Sequence, residues 1–89
     1  MTKTDYEEYV EKQCKDYVTE PYLVLAINEE AGEIAGWYKK CILKGNSSGK
    51  LTQEDLLGEI GDCLFNLTRL AQLHGWGLND VMQHNMAKK

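Results

Sequence analysis

Eighty-nine residues make a single domain, 1–89, small enough to bury only about 60–65% of its unfolded surface, so stabilisation by self-association is expected. Fourteen acidic residues against ten basic ones give a net charge of −4, and the lysines are scattered apart from Lys39-Lys40 and Lys88-Lys89, so no basic stripe exists to track polymeric nucleic acid. Met1 is followed by polar residues and no apolar run approaches a bilayer span, which argues against a signal peptide and a membrane partner and leads us to expect a soluble, cytoplasmic protein.

Thr4 opens the first predicted helix, because "TDYE" has the S/T-x-x-E form of a capping box; the helix is expected to reach Tyr17. Pro21 suits the first turn of a second helix, where its missing N–H is not needed, and that helix is expected to run to Lys44 with Gly45 just beyond its end. After the loop "GNSSGK", Thr52 caps a third helix that runs to His74 and stops at Gly75. Beyond "GWG", Asn79 is the expected cap of a short fourth helix. Apolar residues recur at i, i+3, i+4 in both long segments and strand alternation is absent. One stripe comprises Leu23, Ile27, Ile34, Tyr38 and Cys41; the other comprises Leu56, Ile60, Cys63, Leu64, Leu67, Leu70 and Ala71. The fold class is therefore all-α, an antiparallel helical bundle of about four helices completed by oligomerisation. Cys14, Cys41 and Cys63 are odd in number, far apart and without a C-x-x-C pair, which suits buried thiols in a reducing compartment.

The acidic residues break this pattern. Residues on a helix step by about 100°, so Glu59, Asp62 and Asn66 share a narrow sector bordering the apolar stripe of the third helix. On the second helix Glu29, Glu30 and Glu33 share a sector, and Glu30 falls near the middle of the apolar face. Packing the two stripes together brings these carboxylates into one place. Two like charges about 4 Å apart repel by about 4 kcal/mol at an effective dielectric near 20, so protons or cations must join them. Oxygen donors of this kind suit Mg²⁺, which commonly also binds phosphates. Solvated acidic faces and lysine partners are the commoner origin of such residue pairs.

"INEEAGEI" followed by "GEIGDCLFNLTRLA" resembles the MazG-like, all-α nucleoside triphosphate pyrophosphohydrolases, whose signature is E-x-x-E, a spacer, then E-x-x-D. Here it reads Glu30-x-x-Glu33 and then Glu59-x-x-Asp62, with Gly32 and Gly61 directly before the last acid of each pair. The closing "HGWGLNDVMQHNMAKK" is similar to the family's tail, a glycine-containing turn and a helix bearing N-x-x-K, here Asn85 and Lys88. The resemblance runs from Pro21 to the end of the sequence.

The resemblance implies hydrolysis of a (deoxy)nucleoside triphosphate to the monophosphate and pyrophosphate, with Mg²⁺ as cofactor and Mn²⁺ as a substitute. It assigns Glu30, Glu33, Glu59 and Asp62 to the metal and the chemistry, with Glu29 and Glu30 as candidates for the base. Substrate contacts are then sought in Trp37 (stacking on a base), Lys40 and Lys88 (phosphate charge), Asn66 and Asn85. Core packing for Trp37 and dipole compensation for the lysines are the structural alternatives. Small members of the family assemble as dimers or tetramers, and the same is expected here. Two departures stand out: Gly58 replaces an acid usual in the family, and no arginine follows the N-x-x-K, so phosphate gripping there is expected to be weaker or supplied by another subunit. Two other readings stay open: a phosphoribosyl-ATP pyrophosphohydrolase-like enzyme, and a non-catalytic oligomeric helical adaptor.

Overall fold

Thr4 closes its capping box as expected: Glu7 N–H donates to Thr4 Oγ1 at 3.1 Å, and Thr4 N–H donates to Glu7 Oε1 at 2.9 Å. In the computed structural model, which describes residues 3–15, 18–43 and 52–88, this cap starts α1, Asp5–Gln13. Extended backbone at Cys14 ends that helix earlier than the sequence pattern suggested. Asp16 and Tyr17 lie outside the described residues, as do Lys44 and Gly45 at the expected end of the second helix.

The second helix, α2, spans Glu20–Leu43 with Pro21 in its first turn. The third, α3, spans Gln53–Leu73 and carries the Thr52–Asp55 capping box. Its exit is a Schellman turn: Gly75 adopts φ +79°, Gly75 N–H donates to Gln72 and Trp76 N–H donates to Ala71, each at 2.9 Å. The last helix, α4, spans Leu78–Ala87. Its N-cap is Gly77 and not Asn79: the Asp80 carboxylate accepts from Gly77 N–H at 2.9 Å, the half of a capping box that needs no side chain on the cap residue. All described secondary structure is helical, and no described helix is long and apolar enough to cross a membrane.

Helices α2 and α3 form an antiparallel hairpin pinned at both ends. Glu20 pairs with His74 at one end, and Trp37 Nε1–H donates to the Thr52 carbonyl at 3.1 Å toward the other. The fully buried side chains Val10, Leu23 and Thr68 lie on α1, the start of α2 and the last third of α3, so the core sits at the Glu20–His74 end. The Thr68 hydroxyl is satisfied by the Leu64 carbonyl at 2.6 Å.

The two apolar stripes are only partly interior. Ile27, Ile34, Cys41, Leu56, Cys63 and Leu70 are half-buried, while Tyr38, Ile60, Leu64 and Leu67 are exposed. Each stripe is wider than a single partner helix can cover. The cysteines are half-buried free thiols, less enclosed than their composition suggested.

Candidate metal-binding site

Midway along the hairpin, α2 and α3 turn carboxylates toward one another. Ligand oxygens of Glu29, Glu30 and Glu33 lie within 4.8 Å of one another, and so do those of Glu30, Glu59 and Asp62. Glu30 belongs to both groups and joins the two helices' contributions. It is half-buried, as its position in the apolar face of α2 requires, and Glu59 is half-buried opposite it. Glu33 and Asp62 stand at the exposed edge.

This crowding has an electrostatic signature. A carboxyl–carboxylate hydrogen bond with Glu33, followed by burial and the charges of Glu33, Glu30 and Asp62, pushes Glu59 up to about 7. Burial, and then the charges of Glu33, Asp62 and Glu29, hold Glu30 above the ordinary carboxylate range, although a hydrogen bond from Glu59 opposes the rise. Glu59 is thus the carboxyl that carries the shared proton when nothing else offsets the charge. Even so, Glu30 Oε2 and Glu59 Oε2 are buried without a hydrogen-bond partner. Buried carboxylate oxygens normally have one. Converging hard oxygen donors with two orphaned atoms fit a divalent cation such as Mg²⁺. Burial, then the same acids, also raises the Cys63 thiol and keeps it protonated, so it is a poor ligand or nucleophile here.

A cleft of about 510 Å³ opens beside the acids, lined in part by Glu29, Glu33, Trp37, Lys40 and Glu59. Trp37 and Lys40 are therefore brought to the acidic cluster. Trp37 also has a structural task, since its indole N–H anchors α2 to the cap of α3. Asn66 is half-buried one turn beyond Asp62, and Asn85 and Lys88 are exposed at the far end of α4; none of the three lines this cleft.

Three residues near the site carry no motif. Asp55 reaches the cleft from the first turn of α3, where the sequence shows only a capping role. Tyr6 on α1 lies close enough to Asp62 that burial, the neighbouring Tyr9 and that carboxylate's charge all raise its phenol. Gly36 continues the strip begun by Gly32 along the cleft, one helical turn on, a spacing visible in the sequence.

The model of the MazG nucleotide pyrophosphohydrolase domain matches residues 18–89, which includes all five converging acids. The chain belongs to the MazG family. A similar protein is the "Gene 37 protein" of Mycobacterium phage L5, 42% identical over 71 residues, an alignment covering 75% of this chain and 60% of that relative. The chain thus spans less than two thirds of the length of this relative. No solved structure matches the chain.

Proposed function

We propose that this MazG-family protein hydrolyses a (deoxy)nucleoside triphosphate to the monophosphate and pyrophosphate in a Mg²⁺-dependent reaction. The observation that carries this reading is the pair of partnerless buried oxygens, Glu30 Oε2 and Glu59 Oε2, inside a five-acid cluster beside an open cleft. Glu30, Glu33, Glu59 and Asp62 would hold the cation. A divalent cation held there supplies positive charge against the phosphoryl oxygens and Lewis acidity toward a water.

The chain's own groups account for the remaining steps. A water oxygen bonds to the α-phosphorus, and the bond from that phosphorus to the α,β-bridging oxygen breaks, releasing pyrophosphate. The water's proton passes to a carboxylate oxygen of Glu29 or Glu30. Lys40 provides a point charge for the phosphates, and the Trp37 ring offers a face to the base. Asn66, Asn85 and Lys88 serve as outer contacts to the phosphates or the sugar. Self-association and a cytoplasmic setting belong to the same reading.

The test is release of pyrophosphate from a panel of (d)NTPs, with Mg²⁺, with Mn²⁺ and with chelator. Chelator-sensitive hydrolysis of at least one substrate is expected. Absence of pyrophosphate release with every substrate and metal would sink the enzyme reading and leave a binding module.

A further inference from the structure

The cleft beside the acids has two ends. Glu29, Glu33 and Glu59 stand at one, and Trp37, Lys40 and Asp55 stand at the other. Trp37 follows Glu33 by one helical turn on α2, and Asp55 precedes Glu59 by one turn on α3. Because the two helices run antiparallel, both steps lead the same way, about 6 Å from the acids. Trp37 and Asp55 therefore line a common length of the cleft.

One residue fixes both of them. Trp37 Nε1–H donates to the Thr52 carbonyl at 3.1 Å, and Thr52 N–H donates to Asp55 Oδ2 at 3.1 Å. Asp55 N–H in turn donates to Thr52 Oγ1 at 3.2 Å. The indole and the carboxylate are thus held in place by the fold itself, which spares a ligand the cost of ordering them. The only N–H of the indole is committed, so what Trp37 offers the cleft is its half-buried ring. Asp55 Oδ1 has no partner among the described residues and keeps its capacity to accept. There is room between the acids and this pair: a Cβ on Gly32 or Gly36, which line the same cleft, would meet nothing within 4 Å.

The chemistry of the two ends differs. A carboxylate accepts hydrogen bonds and donates none, and the Asp55 charge repels phosphate oxygens. A triphosphate therefore belongs at the acid end, where a cation offsets its charge, and the nucleoside belongs beside Trp37 and Asp55. Lys40 has a flexible four-carbon stem, so its ammonium follows the phosphates. A base that turns an amino group toward Asp55 Oδ1 gains a charge-assisted hydrogen bond. A base that turns a carbonyl there sets two acceptors against each other. Cytosine and adenine carry such an amino group, where thymine and uracil carry a carbonyl oxygen. We infer that Asp55 selects the base: resting on the hydrolytic reading above for the place of the phosphates, the substrate is a nucleotide whose base carries an exocyclic amino group, stacked on Trp37 and donating to Asp55 Oδ1.

The pair dCTP and dUTP isolates this contact, because the two differ only along that edge of the base. Wild type is expected to show a kcat/KM for dCTP about tenfold or more above that for dUTP, the scale of one hydrogen bond to a charged group. Asp55→Asn keeps an oxygen for the Thr52 N–H and turns an NH₂ donor toward the cleft. The dCTP-to-dUTP ratio should then fall to about one or invert while circular dichroism stays helical. Glu54→Gln removes the same charge from an exposed neighbour that does not line the cleft, and should leave the ratio unchanged. Calorimetric binding of dCMP and dUMP with Mg²⁺ repeats the comparison without turnover. Selective dCMP binding that Asp55→Asn abolishes, with no pyrophosphate released from any triphosphate, upholds the base contact and removes the hydrolytic reading. A wild-type ratio near one, or a ratio unchanged in folded Asp55→Asn, overturns the inference and leaves Asp55 as a cap alone. Neither turnover nor binding of either nucleotide overturns both. Should Asp55→Asn not fold, the wild-type ratio decides.

Discussion

Glu7 Oε2 accepts a hydrogen bond from the Leu78 backbone N–H at 2.9 Å, so one buried carboxylate of α1 caps the start of α4 as well as its own helix. The same residue's carbonyl accepts from Gln72 Nε2 at 2.9 Å, which adds α3 to the junction. Glu7→Ala is expected to destabilise the fold by about 2 kcal/mol, through loss of a cap and exposure of an unpaired donor. Glu7→Gln keeps one acceptor oxygen and should lose less. Urea denaturation of both variants checks the order; equal stability of Glu7→Ala and wild type would refute it.

The same contacts set an acid limit. Hydrogen bonds from the backbone N–H groups of Thr4 and Leu78 hold the Glu7 carboxyl below the ordinary carboxylate range. Above that range the carboxylate is ionised in both folded and unfolded chains, and its stabilisation is fully present. As pH falls through the folded value, the unfolded chain gains its proton first and the stabilisation is lost. Wild-type stability should therefore drop below about pH 4.5 more steeply than that of Glu7→Gln, measured by denaturation at stepped pH.

Glu59 acts in the opposite direction. Its carboxyl is raised from 4.5 to about 7, so within that window the folded chain holds a proton that the unfolded chain has released. Stability from this group is complete below 4.5 and is lost as pH rises through about 7. Metal-free protein should melt lower at about pH 8 than at about pH 5.5, and Glu59→Gln should flatten that slope. Added Mg²⁺ should raise the melting temperature most at the higher pH, where no proton competes. An identical slope in wild type and Glu59→Gln would remove Glu59 as its source.

The parts of the fold readable from the sequence are those set by short-range chemistry. The Thr4–Glu7 box, the Thr52 cap and the helix stop at Gly75 each need only a few neighbouring residues, and each appears as expected. The convergence of Glu30, Glu33, Glu59 and Asp62 was legible for a related reason: helical phase and one antiparallel pairing suffice to bring them together. The Glu7–Leu78 bond was not, because it joins positions 71 apart through a backbone donor. Periodicity also overstated the intrachain core. It marks Ile60, Leu64 and Leu67 as apolar positions without saying which chain covers them.

On the function proposed above, loss of a carboxylate from the acidic cluster should be felt in turnover before it is felt in folding. Glu33 and Asp62 stand at the exposed edge of the cluster, so Glu33→Gln and Asp62→Asn remove charge without opening a cavity. Each is expected to lower kcat/KM by at least about a hundredfold, the scale on which one lost electrostatic contact to a transition state is felt. Lys40→Ala should act mainly on KM. Pyrophosphate-release kinetics, with circular dichroism to verify folding, provide the measurement. Wild-type kinetics in both acid variants would mean that the reaction occurs elsewhere.

Gly58 and Gly61 offer a paired test on one helix. A Cβ at either position meets nothing within 4 Å, so close approach inside this chain explains neither glycine. Propensity alone predicts that filling each position stabilises α3 by up to about 1 kcal/mol. Gly58 lies on the side of α3 away from the exposed Leu57, Ile60, Leu64 and Leu67, so Gly58→Ala should raise the melting temperature and leave self-association unchanged. Gly61 borders the exposed Leu57 and Leu64, an edge that the self-association proposed above would cover. Gly61→Leu should therefore weaken assembly despite its better helix propensity, as read by sedimentation equilibrium at stepped concentrations. A Gly61→Leu protein that is both more stable and as tightly assembled as wild type would show that nothing packs against that edge.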